Sequence, residues 1–230
     1  MRGSSPPRPT APSPAEGVAG SATSLDTLLP LLAREQLEDK VVLDVGTGSG
    51  RVALALAPLC RRIVGIDRDA GAIEEARSRA ARAGLTNTEF VVLDAETGEY
   101  TEFASDLITA YLCMSDAIIE RAGRALGPGR GFGFVAFHED HWLETGRRSR
   151  FAYDRAQAER ALAANGFAIE HLEVDRRVQT FGSVEEGLAA AVALQERWKT
   201  DGRWFRYVEF LEGGGRTLTR SHLVCFARRR

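Results

Sequence analysis

The stretch Asp44-Val45-Gly46-Thr47-Gly48-Ser49-Gly50 places three alternating glycines after a carboxylate. Glycine allows positive φ and lets a ligand approach the backbone without meeting a Cβ, so such a loop suits a polar or anionic ligand held by backbone N–H groups. A phosphate-binding Walker loop would need a lysine here, and a dinucleotide fingerprint would need glycine where Arg51 stands. A second group, His138-Glu139-Asp140-His141-Trp142, is the densest polar cluster after an apolar run. Histidine accepts a proton near neutral pH, which makes His138 and His141 candidate general bases; the alternative is a hydrogen-bonded loop that caps a strand. The cluster is not H-E-x-x-H, so no metal is expected. Cys60, Cys113 and Cys225 are odd in number and form no C-x-x-C pair, which argues against a disulfide framework or zinc site and for a reducing compartment.

These residues need elements to position them. Apolar runs at 41–45, 62–66, 90–93, 107–112, 131–138, 167–174 and 218–227 read as strands. Helices are expected over 50–58, 69–83, 116–126, 156–164 and 184–198. A short apolar helix from Ser24 is expected to break or kink at Pro30. Strands separated by helices of this length imply an α/β fold: a doubly wound, Rossmann-like, seven-stranded sheet, mostly parallel with the last strand antiparallel, in three α/β/α layers. Five prolines before residue 15 mark residues 1–22 as a flexible Pro/Ser/Ala-rich tail, leaving 23–230 as one domain without a long insertion.

In register with these strand ends, the glycine loop resembles motif I of class I S-adenosylmethionine-dependent methyltransferases. Asp67 closes Val64-Gly65-Ile66, Asp94 closes Val91-Val92-Leu93, and Leu126-Gly127-Pro128-Gly129-Arg130-Gly131 is similar to that family's turn before strand five, with Arg130 in place of a glycine. The resemblance implies S-adenosyl-L-methionine as cofactor. Gly46 and Gly48 would then underlie its methionine part, with Asp44 fixing either the loop or the cofactor's ammonium and Thr47 and Gly50 completing the cofactor-binding loop. Asp67 would take both ribose hydroxyls, since a carboxylate offers two acceptor oxygens. Asp94 and Ala95 would lie at the adenine, Arg68 would stack on its face or lie on the surface, and Tyr111 would border the methyl donor or pack in the core.

The segment after strand four, Thr109-Ala110-Tyr111-Leu112-Cys113-Met114, lacks the [DN]-P-P-[YF] motif of amino-methylating enzymes, and no cysteine follows a proline as in cytosine-C5 enzymes. Thirty basic against 32 acidic residues give a net charge of -2, which makes no electrostatic bid for nucleic acid or an anionic membrane. Trp198, Trp204, Phe205, Tyr207 and Phe210 either roof an apolar acceptor or pack as a hydrophobic hairpin. The expectation is a cytoplasmic methyltransferase that moves a methyl group to a small-molecule acceptor by direct displacement, with His138, His141 and Tyr111 as candidate catalytic residues. Lacking a cap, it would close its site with its tail or as a homodimer. The alternatives are an RNA or protein methyltransferase of the same fold, and a non-catalytic cofactor-binding module.

Overall fold

A computed structural model describes residues 23–230, so the expected tail lies outside the described residues. The chain runs α1 (Ser24–Ala33), β1 (Val41–Val45), α2 (Arg51–Leu56), β2 (Arg62–Asp67), α3 (Ala70–Arg82), β3 (Thr88–Val92), β4 (Leu107–Tyr111), α4 (Asp116–Ala125) and β5 (Gly131–His138). It continues through β6 (Ala152–Tyr153), α5 (Arg155–Ala164), β7 (Phe167–Thr180), α6 (Val184–Ala191), α7 (Gln195–Asp201), α8 (Arg203–Glu212) and β8 (Thr217–Arg229). The sheet order is β3-β2-β1-β4-β5-β8-β7. β1 to β5 pair in parallel, and β8 runs antiparallel between β5 and β7. The doubly wound architecture is therefore as the strand pattern implied, with the two-residue β6 added beside the end of β5.

The central strands are apolar because helices cover both faces. All five residues of β1 are buried, Asp44 among them, and two clusters form the faces. One gathers Ile118, Ile119, Phe132, Phe134 and Leu162 beneath α4 and α5. The other gathers Leu28, Leu32, Val52, Leu56, Ile63 and Ile73 beneath α1, α2 and α3. Each fully buried Leu or Ile contributes ~1.5–3 kcal/mol. Pro30 lies inside α1 and does not break it. It forgoes only the bond that its missing N–H would make, while Leu28 and Leu32, both 0% exposed, hold the helix on the sheet.

The carboxyl-terminal third departs from expectation. The single helix expected over 184–198 is broken at Val192–Leu194 by one 3-10 turn, and the aromatic segment forms a helix, α8, instead of a hairpin. Together α6, α7 and α8 are a helical insertion between β7 and β8, where no long insertion was expected. It has its own core of Trp142, Phe181, Trp198, Tyr207, Leu211 and Leu218. Trp142 of this core leads into a turn at 143–145, whose Glu144, 7% exposed, ties it to β8 by accepting from Thr219 N (3.0 Å), Thr219 Oγ1 (2.6 Å) and Thr217 Oγ1 (3.1 Å). No described helix is long and apolar enough to cross a membrane.

Candidate functional site

Parallel register brings the carboxyl ends of β1, β2, β3 and β4 side by side, where an open α/β sheet presents a ligand crevice. Val45 pairs with Ile66 on one side and Ala110 on the other, and Asp67 pairs with Val92. The glycine loop turns at this edge: Gly46, Gly48 and Gly50 have φ of +65°, +55° and +83°. A Cβ on Gly48 would meet nothing within 4 Å, so the loop offers a bare backbone to open space. A Cβ on Gly46 would fall 2.5 Å from Cys113 Sγ, which itself donates to the Val45 carbonyl.

Asp44 is the internal brace of the loop. Its Oδ2 accepts from Thr47 Oγ1 at 2.6 Å and from Ala53 N at 3.1 Å, tying the loop to the first turn of α2. This engages the Thr47 hydroxyl within the loop and leaves Asp44 Oδ1 with no hydrogen bond to a described residue. Burial pushes the Asp44 carboxyl up to about 7, despite the lowering effect of those two donors.

Asp67, at the end of β2, grips the loop from the other side. Its Oδ2 accepts from Gly48 N (2.9 Å) and its Oδ1 from Asp69 N (3.0 Å). Each oxygen retains a further lone pair, so the half-buried carboxylate can still receive two hydroxyls. Half-buried Arg68 follows it. Leu93 N bonds the Asp67 carbonyl, placing Asp94 and Ala95 next along the same edge. Asp94 Oδ1 accepts from Glu96 N, and Tyr100 Oη donates to the Ala95 carbonyl. A cleft of about 680 Å³ opens beyond this point, lined among others by Glu96, Ser115, Asp116, Arg150 and Tyr153.

Tyr111 ends β4 half-buried, and burial raises its hydroxyl above the ordinary value, against the opposing effect of the Arg51 charge. Arg51 itself opens α2 at the loop's exit. The two histidines of the polar cluster separate. His138 is half-buried, and its Nδ1 accepts from Asp140 N at 3.3 Å and lies 2.9 Å from Ser221 Oγ. His141 is 6% exposed, its Nδ1 accepts from Ser221 N at 3.1 Å, and burial holds it neutral, well below its ordinary value. A backbone N–H can only donate, so His141 carries its proton on Nε2, and a neutral His138 ring would do the same. The Nδ1 atom of His138 is thus engaged by Asp140 N and lies beside Ser221 Oγ.

A third histidine, which the motif reading passed over, has the opposite tautomer. Ser24 Oγ lies 2.9 Å from Asp175 Oδ2 and 2.7 Å from His222 Nδ1. The carboxylate only accepts, so the single hydroxyl proton points to Asp175 and His222 Nδ1 must donate to Ser24. That leaves the lone pair on His222 Nε2, a buried atom with no partner. Burial lowers His222 to about 4, and its ring stacks on His141 at 4.8 Å. The β5–β8 register, which pairs Phe137 with His222, delivers it to this edge. Neither Ser24 nor His222 sits in a local motif. Among the described residues no group of three or more His, Cys, Asp or Glu side chains could hold a metal ion.

Comparison with known proteins points to one kind of domain. Residues 42–129 match a family model described as a methyltransferase domain. A protein-L-isoaspartate O-methyltransferase of Methanoculleus marisnigri is 42% identical over 67 residues, covering 29% of this chain and 30% of that protein. A 23S rRNA (uracil(1939)-C(5))-methyltransferase of Stenotrophomonas maltophilia is 44% identical over 57 residues, covering 25% of this chain and 13% of that protein. The chain thus spans less than a third of the length of these curated relatives. The crystal structure of YcgJ from Bacillus subtilis superimposes with a TM-score of 0.69 at 17% identity, covering 89% of this chain and 98% of that one.

Proposed function

We propose that this chain, which has the class I S-adenosylmethionine-dependent methyltransferase fold, transfers a methyl group from S-adenosyl-L-methionine to a small-molecule acceptor by direct in-line displacement. The observation that carries the reading is the loop from Asp44 to Gly50, open above Gly48 and clamped between two carboxylates. The residues fit the cofactor: a bare backbone for its methionine part, Asp44 Oδ1 without a partner for its ammonium, and two Asp67 oxygens for its ribose hydroxyls. Asp94 and Ala95 follow along the edge for the adenine, with Arg68 beside Asp67.

The cofactor supplies an activated sulfonium methyl, so the protein must align the acceptor and exclude water. Tyr111, at the end of β4, borders the loop on the acceptor side and restricts approach from β4. His138 Nε2–H gives a hydrogen bond that orients an acceptor oxygen. His141 is buried and neutral, and supports that edge from beneath. His222 Nε2 is the lone pair available to take a proton once the acceptor displaces what covers it, with Asp175 and Ser24 fixing its tautomer. The insertion α6–α8 stands where a cap would enclose a small molecule, and the near-balanced net charge of -2 favours a small acceptor over a polyanion.

The relatives named above act on a protein and on an rRNA, which keeps a macromolecular acceptor as the second reading. Methyl-labelled S-adenosylmethionine, incubated with the protein and a cell extract separated into small-molecule, RNA and protein fractions, tests the choice. Label is expected in the small-molecule fraction. Label confined to RNA or protein overturns that acceptor class, and cofactor binding with no labelled product identifies a binding module.

A further inference from the structure

The helical insertion carries two arginines that the reading above leaves unused. The Arg197 guanidinium lies 5.5 Å from the centre of the Trp142 ring, and that of Arg203 lies 5.7 Å from it. Arg203 is 8% exposed and pairs through Nε with Asp201 Oδ2 at 3.4 Å. Asp201 also gives its backbone carbonyl to Arg147. Arg197 is half-buried, and its guanidinium makes no hydrogen bond or ion pair with a described residue. Two guanidinium groups are thus held beside one indole, and only that of Arg203 pairs with a carboxylate of a described residue.

Such an arrangement is costly as it stands. A partly desolvated cation loses hydration, and cation–π attraction of ~0.5–2 kcal/mol recovers only part of it. Burial and the neighbouring Arg203 lower Arg197 to about 10. An oxyanion placed between the two groups would remove the mutual repulsion and satisfy N–H donors in the fork geometry that guanidinium offers. Trp142 is itself fixed for the purpose: it holds a left-handed backbone (φ 58°), its N–H bonds the Thr219 carbonyl at 2.9 Å, and its carbonyl accepts from Thr145 Oγ1 at 2.8 Å. From Trp142 the contacts lead straight to the strand ends, since its ring lies 4.3 Å from that of His141, which stacks on His222.

We propose that Arg197 and Arg203, framing Trp142, bind an oxyanion, a carboxylate or a phosphate, carried by the methyl acceptor. The assignment to the acceptor rests on the methyltransferase reading; the oxyanion site itself does not. The test is titration of the full chain with benzoate and with inorganic phosphate, followed by tryptophan emission, alongside calorimetry with S-adenosylhomocysteine. Saturable binding of either anion is expected, and the tighter of the two identifies the group. Arg197→Gln should weaken it by about tenfold or more, the usual worth of a charge-assisted hydrogen bond, while Arg197→Lys keeps most of it and both variants bind S-adenosylhomocysteine as the parent does. Equal anion affinity in Arg197→Gln, or no titration by either anion in a chain that binds S-adenosylhomocysteine, overturns the site. Failure to bind S-adenosylhomocysteine overturns the methyltransferase reading instead, and the benzoate and phosphate titrations still judge the oxyanion site.

Discussion

Replacing Asp44 by Asn removes one buried carboxyl and should change how stability depends on pH. The Asp44 carboxyl is raised by burial from 3.8 to about 7, so the folded state holds its proton over a range in which the unfolded chain has lost it. The folded state then binds more protons than the unfolded state, and stability falls as pH rises from about 4 to 7, levelling off above. A shift of about 3 units is worth ~4 kcal/mol. His222, lowered by burial to about 4, acts in the opposite sense: its contribution is lost as pH falls below 6.5. Total stability therefore mixes two slopes, and the difference between parent and Asp44→Asn isolates Asp44, because Asn keeps an oxygen for Thr47 Oγ1 and Ala53 N. Urea unfolding at intervals from pH 4 to pH 8 measures that difference. It should move by ~2–4 kcal/mol in favour of the variant across the range. A flat difference would refute the reasoning that this carboxyl is desolvated. The same proton links to ligand: a cationic group beside Asp44 expels it, so affinity for S-adenosylmethionine should rise with pH up to about 7, by at most tenfold per unit.

Asp67→Ala should weaken S-adenosylhomocysteine binding by about 10- to 100-fold in calorimetry, since two hydrogen bonds to a charged acceptor disappear; a change under about threefold would place the ribose elsewhere. Gly46→Ala should cost ~2–4 kcal/mol by thermal unfolding, because positive φ and the 2.5 Å approach to Cys113 Sγ act together, and adding Cys113→Ala should restore part of it. Glu144→Ala removes three hydrogen bonds that tie the 143–145 turn to β8 and should destabilise by ~2–4 kcal/mol, read by urea unfolding.

The parallel half of the molecule was legible because its chemistry is local. Val41–Val45 is apolar throughout, so it had to be buried on both faces, and Gly46, Gly48 and Gly50 announced the turn that follows. Asp67 and Asp94 each directly follow an apolar run, which places them at strand ends, while the roles expected of them rest on the resemblance to the methyltransferase motifs. The carboxyl-terminal third was not legible in this way. The spacing of buried Arg203, Tyr207 and Leu211 is helical, yet the aromatic residues around them fit a hydrophobic hairpin as well. The break at Val192–Leu194 has no glycine or proline to mark it. His222 lies within a strand, and its partners Ser24 and Asp175 come from α1 and β7. Only the register of β8 against β5 and β7 brings the three together, and no spacing along the chain encodes that. The histidine cluster was visible as residues but not as tautomers, which depend on the backbone N–H groups of Asp140 and Ser221.

The glycine loop from Asp44 to Gly50 is the proposed cradle of the cofactor. Calorimetry of the full chain with S-adenosylmethionine, at ~100 µM protein, measures this directly. The structure predicts saturable binding of one cofactor per chain, weakened by Asp67→Ala. Absence of heat with both S-adenosylmethionine and S-adenosylhomocysteine, in protein that unfolds cooperatively, would contradict it.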